Sequence, residues 1–265
     1  MELRQLAGHS SAFVKKNATS ILWKVFRVFL LIGISYIFLF PVLYMVSIAV
    51  RSPETVNDPS AVWIPRGISL ESIKTAIDIL DYPRAISVTA IIAIGGTLGS
   101  LVSCSLVGYG FARFKFKERN IAFALVLLTI IVPPQTIIIS SFVNYRNFDF
   151  FGILSLLHAI IPAVPDSVSL INTPWTFILP AFFGSGLRAG LFIYIFRQFF
   201  AGLPKDLEEA AMIDGCRPFK TFLRVMLPLA RSAIITVLLF SFVWHWNDYY
   251  QATMYFSSNQ PISVM

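Results

Sequence analysis

Long apolar runs, separated by short basic or mixed-charge connections, set the pattern of this chain. Residues 28–50 carry no charge, and at 1.5 Å per helical residue they are long enough to cross a hydrocarbon core of about 30 Å. Similar runs at about 85–112, 121–145, 175–196 and 231–247 predict four further spans, and together they predict an all-α, polytopic helical bundle. Residues 151–164 form a shorter apolar piece that ends in Pro162 and Pro165, which reads as re-entrant or interfacial rather than as a span.

Details inside the runs sharpen the picture. Pro41 lies in the first, and the third is interrupted by Pro133 and Pro134. Consecutive prolines remove helix donors and free carbonyls that, in lipid, need neighbours or a water-lined cavity, so a kink is expected there. In the second run Gly95, Gly99 and Ser103 fall four apart, as do Gly96 and Ser100, a spacing that lets helix backbones approach closely. Packing within the bundle accounts for it; lining a pore is the other reading. The fourth run contains Arg188, which either snorkels to an interface or faces the bundle interior as part of a translocation path. The fifth ends in Trp244, His245, Trp246, Asn247, Asp248, Tyr249 and Tyr250. Aromatic residues at a span end act as interfacial anchors, and His245 is read as interfacial too. Trp246, Asn247 and Asp248 are the alternative candidates for lining a polar cavity or gate.

Residues 202–229 are the one polar stretch of any length in the second half of the chain. Pro204 suits the first turn of a helix, and Asp206, Glu208 and Glu209 place negative charge where the helix dipole favours it. Leu207, Ala210, Ala211 and Asp214 recur at i, i+3, i+4, i+7, and Gly215 stands where a glycine stops a helix. A second short helix is predicted from Pro218, with Phe219, Phe222, Leu223 and Met226 at the same spacing, until Pro228 interrupts it. This pair is too short and too charged to cross a bilayer. Its apolar faces need a protein surface.

Composition supports a membrane protein: of 265 residues, 56% are hydrophobic and only 13% charged, against about 25% charged in soluble domains. The net charge of +7 sits at the ends of apolar runs. Arg4, Lys15, Lys16, Lys24 and Arg27 precede the first span, and Arg113, Lys115, Lys117 and Arg119 separate the second from the third. The positive-inside rule therefore puts residues 1–27 and that connection in the cytoplasm, with membrane lipid and not nucleic acid as the basic residues' partner. The first apolar run is too long for a signal-peptide core and no small-residue cleavage site follows it. Cys104 lies within a span and Cys216 in the polar loop, so no disulfide is expected. Five spans starting inside leave 251–265 external, and a sixth span is expected to be missing from the chain.

Catalytic signatures are lacking. There is no GxxxxGK[ST], HExxH, CxxC or GxSxG, and His245 has no second ligand at metal-binding spacing, so neither catalytic residues nor a metal site are expected. The spans hold no Asp or Glu before Asp248 that could relay protons. Energy for transport must then come from a partner.

Glu209-Ala210-Ala211, Asp214-Gly215 and Leu227-Pro228-Leu229 resemble the EAA signature of binding-protein-dependent ABC importer permeases. Residues 108–114 (GYGFARF), Arg197-Gln198-Phe199-Phe200 and Trp246-Asn247-Asp248 are similar to the maltose-type carbohydrate branch, specifically its second permease subunit. Cys216 departs from the family's usual Ala, and Ala230-Arg231-Ser232 from its usual Pro. The resemblance implies a type I importer bundle in a bacterial inner membrane, and that the loop's Glu209, Ala210, Ala211, Asp214, Gly215, Phe219, Leu227 and Pro228 couple it to a cytoplasmic ABC ATPase dimer. It further implies that ATP and Mg belong to that ATPase and that this chain binds no cofactor. A second homologous permease subunit, an extracytoplasmic solute-binding protein and a sugar or oligosaccharide cargo complete the implied system. The same architecture serving a peptide, amino acid or anion, or a membrane anchor without a pathway, are the alternatives.

Overall fold

Where an apolar run is free of paired prolines and glycine turns it forms one unbroken helix; where it is not, it breaks sharply. The computed structural model describes residues 2–52 and 67–256, with side chains from residue 21 onward. The side chains of Arg4, Lys15 and Lys16, and the expected external tail from 257, lie outside the described residues. The chain divides into two compact units, 1–79 and 80–265.

The first unit holds α1 (Glu2–Ala49) and α2 (Glu71–Ile79). The helix does not start at the apolar run but extends back through the basic N-terminal segment; its part Ile21–Ala49 is 29 residues long with mean hydropathy 2.3. Pro41 lies inside it without ending it.

In the second unit α3 (Tyr82–Arg113) is the axis, and its small residues sort by neighbour. An added Cβ at Gly95 would lie 2.8 Å from Ile178, and one at Gly99 would meet the backbone of Ala181 and Phe182 at about 3 Å. Ser103 Oγ donates to Ala181 O at 2.6 Å. That row therefore receives α7 (Trp175–Phe182), while Gly96, on the next row, faces His245 of α12 (Arg231–Trp246). Gly108 faces Phe196 and the Arg197 backbone of α8 (Ala189–Gly202). The small-residue spacing thus serves helix packing. Phe192, Phe196, Phe200, Met226 and Val237 fill the core beside it, each with no exposed surface. Cys104 and Cys216 are free.

The third predicted span is not a kinked helix. It is two helices, α4 (Arg119–Ile131) and α5 (Pro134–Arg146), bent by 102°. A residue before proline is driven out of the helical region, and here two in succession comply: Val132 at φ −69, ψ 119 before Pro133, and Pro133 at φ −66, ψ 136 before Pro134. The fourth predicted span, 175–196, is likewise two helices, α7 and α8, parted at 183–188 where Gly184 (φ 67) and Arg188 (φ 56) turn left-handed. Between α5 and α7 lie a turn at Phe150–Gly152 and α6 (Ile153–Ile160). By length and composition the described residues provide two spanning helices, or up to four if each bent pair counts as one.

Candidate functional site

The polar stretch folds as a hairpin at the end of α3. Its first arm, α9 (Asp206–Ile213), carries Asp206, Glu208 and Glu209 in the first turn, and Pro204 precedes the helix rather than opening it. Cys216 N donates to Ala211 O at 2.9 Å and Gly215 N to Met212 O at 3.0 Å, with Gly215 at φ 78. This is the Schellman arrangement, which relieves the last carbonyls of a helix and favours glycine in the left-handed position. The second arm runs through α10 (Pro218–Thr221), a π-turn at Phe222–Met226 and α11 (Leu227–Leu229). Pro228 does not interrupt this arm as expected. The helix widens one turn earlier, with Leu227 N–H reaching Phe222 O, and the chain turns instead at Ala230, where α12 leaves at 79°.

What fixes the hairpin is a residue the periodicity did not single out. Glu208 turns inward, with its Oε1 3.5 Å from Arg113 Nε at the end of α3; the two side chains are 12% and 6% exposed. Arg113 also donates from Nη2 to Leu203 O at 2.8 Å. Tyr109, Phe200 and Phe222 close on one another with ring centroids 5.0–6.1 Å apart, joining the ends of α3 and α8 to the second arm. The face predicted for α9 therefore divides. Ala211 is buried with Glu208 and Leu207 turned partly inward, whereas Glu209, Ala210, Asp214 and Gly215 are exposed. Ile213 at 87%, Phe219 at 63% and Met212 at 53% exposure make an apolar tip. Leu227 is half-buried and Pro228 exposed.

A second feature lies where the breaks converge. A cavity of about 370 Å³ is lined from the α4–α5 break, the α7–α8 break, His245, and Gln251 and Tyr255 of α13 (Tyr249–Tyr255). Arg188 lies on this lining, with its guanidinium 4.7 Å from the centre of the Trp244 ring. His245 is not interfacial: it is 4% exposed, and its Nδ1 stands 2.8 Å from Ser241 O. The burial is possible because the residue opposite is Gly96, where a Cβ would come within 2.5 Å of the ring. A carbonyl only accepts, so Nδ1 donates its N–H there. The remaining path candidates are elsewhere. Trp246 stacks on Phe242 at 5.6 Å, Asn247 Nδ2 donates to Val243 O at 2.9 Å, and Asp248 Oδ1 accepts from Gln251 N at 3.2 Å to cap α13. None of the three is on the lining.

A bundle of apolar helices, broken around a cavity and bearing an anchored polar hairpin, has the helix lengths and composition of a polytopic membrane protein. The chain belongs to the family of binding-protein-dependent transport system inner membrane components, which its residues 104–264 match. It is 27% identical over 236 residues to the diacetylchitobiose uptake system permease protein DasC of Streptomyces coelicolor, covering 89% of this chain and 76% of that one. It is 25% identical to the lactose transport system permease protein LacG of Rhizobium radiobacter, covering 87% and 74%. Its fold is shared with a chain in the crystal structure of a bacterial ABC transporter involved in the import of the acidic polysaccharide alginate, at a TM-score of 0.69 and 20% identity, over 89% of this chain and 75% of that one. The chain is accordingly a permease subunit and not an enzyme in its own right.

Proposed function

We propose that this permease carries a sugar or oligosaccharide into the cell, driven by a cytoplasmic ABC ATPase that docks on the hairpin 202–229. The carrying observation is the hairpin itself: an exposed apolar tip, Ile213 with Met212 and Phe219, fixed to the transmembrane bundle by Arg113–Glu208 and an aromatic cluster. Such an element has a surface for a partner and a stiff connection to the helices that must move. Ala210 offers a side-chain-poor place for close approach, and Glu209 a free carboxylate for a basic partner residue. ATP and Mg act on that partner, with a second permease subunit and an extracytoplasmic solute-binding protein completing the system. The basic connections support an N-terminus and a hairpin on the cytoplasmic side of a bacterial inner membrane. The sugar reading is supported by the diacetylchitobiose and lactose permeases among its relatives.

The test is to purify the assembly with its ATPase and measure sugar-stimulated ATP hydrolysis in proteoliposomes. Ala210→Arg, which puts a bulky charge on the docking face, should release the ATPase while leaving membrane insertion unchanged. An Ala210→Arg assembly that keeps its ATPase and full uptake would overturn the docking claim.

A further inference from the structure

The cavity at the helix breaks holds one permanent positive charge, Arg188, and no carboxylate on its lining. Among the described residues the guanidinium forms no ion pair and no hydrogen bond, and its one contact of note is the face of Trp244. That contact restrains the side chain without using any of its five N–H donors. Asp248, three residues beyond His245, is off the lining and uses one oxygen to cap α13. An arginine stays charged under all physiological conditions, so the lining presents, among the described residues, a cation with donors set for a planar oxyanion.

Its position narrows the source of that oxyanion. Arg188 precedes the 14-residue α8, so about 20 Å of helix separates it from Gly202 at the hairpin end. A side chain there cannot reach headgroups on the hairpin side of a core about 30 Å thick. The cavity volume falls in the usual range for small-molecule sites, about 300–1,000 Å³. Tyr145 and Gln251 add phenol and amide groups of the kind that bind ring hydroxyls.

We propose that the solute carried by this chain is an acidic saccharide, and that Arg188 is the residue in the path that receives its carboxylate. This rests on the reading of the chain as a sugar importer's permease and specifies the cargo of that reading.

The experiment uses the whole assembly of permease subunits and ATPase, purified in a neutral detergent and titrated calorimetrically with galacturonate and with galactose, which differ only in the C6 carboxylate. Galacturonate should bind at least tenfold more tightly. Arg188→Gln should remove that preference, and Arg188→Lys, which keeps the charge and guards against a folding artefact, should retain part of it. Galacturonate binding no tighter than galactose, or a preference that survives Arg188→Gln, overturns the proposal. So does a preference that disappears when the assembly is moved from neutral to anionic lipid nanodiscs, because headgroups would then own the guanidinium. The two readings fail separately: an assembly lacking an ATPase sinks the importer function, whereas an intact assembly without acid preference sinks only the cargo class.

Discussion

Two adjacent glutamates in the hairpin differ in kind, and Glu208→Gln exposes the difference. Glu208 and Arg113 lie 3.5 Å apart with side chains 12% and 6% exposed. At an effective dielectric of about 20, unit charges at that separation attract by about 5 kcal/mol. Desolvation of both ions offsets much of this, but removing one partner strands the other, which costs about 3–5 kcal/mol. Arg113 keeps its bond to Leu203 O, so the lower figure of about 3 kcal/mol applies. The amide preserves shape, and the loss is one of charge. At 1.4 kcal/mol per tenfold, the undocked hairpin should rise by about two orders of magnitude in population. Trypsin reads that population directly, because Lys205 precedes α9, Lys220 lies in the second arm, and cleavage follows local opening when reclosing is fast. In the full assembly, Glu208→Gln should be cut roughly 100-fold faster than wild type. Glu209→Gln, on the exposed face, should be cut at the wild-type rate while binding the ATPase more weakly. In the double variant Arg113→Gln/Glu208→Gln the two penalties should sum to less than their separate values. Equal cleavage of Glu208→Gln and wild type, or equal effects of the two glutamines, would refute the assignment of Glu208 as the anchor.

Gly108→Ala should lower the melting temperature of the assembly, since the new methyl would lie 2.6 Å from Phe196 Cβ and 3.0 Å from the Arg197 backbone nitrogen, an overpacking that costs about 1–3 kcal/mol. Gly110→Ala is the control: its nearest neighbour is Phe114 at 4.0 Å, and scanning calorimetry should find no loss. Asp149 accepts from the Ser155 hydroxyl and from the Ser155 and Leu154 N–H groups, and the first of these does most to hold its carboxyl below the usual range. A depressed folded pKa means its stabilisation of the start of α6 is present above the unfolded value of about 4 and is lost as pH falls through the folded one. Amide exchange at Leu154 and Ser155, corrected for intrinsic rates, should therefore stay slow at pH 7 and at pH 4 and accelerate below it. Asp149→Asn should show the fast exchange already at pH 7.

Period and charge carry local decisions well, and this chain shows where they stop. Gly215 could be read as a helix stop because a left-handed turn has a residue-level cost that glycine escapes, and the Schellman bonds at Ala211 and Met212 follow from it. Glu208 against Glu209 could not be read. Adjacent positions on a helix differ by 100°, and which carboxylate faces in depends on Arg113, 95 residues earlier. The burial of His245 depends in the same way on Gly96 standing opposite. Pro228 misled for a different reason: a proline need not end a helix if the turn before it can widen, and Phe222–Met226 does so.

The breaks shape the cavity more than the unbroken helices do. A continuous helix satisfies its own backbone and has no reason to hold water or solute, whereas a break in lipid leaves carbonyls and donors that need a cavity or a neighbour. Here the α4–α5 break, the α7–α8 break and the end of α12 meet at one cavity, and each contributes to its lining. Because α8 runs unbroken from Arg188 to the hairpin, the proposed docking of an ATPase on α9 would act at one end of a helix whose other end holds the cavity's cation. That geometry ties the two proposals mechanically: an Arg113–Glu208 anchor that loosens should weaken transport without altering the binding of solute at Arg188.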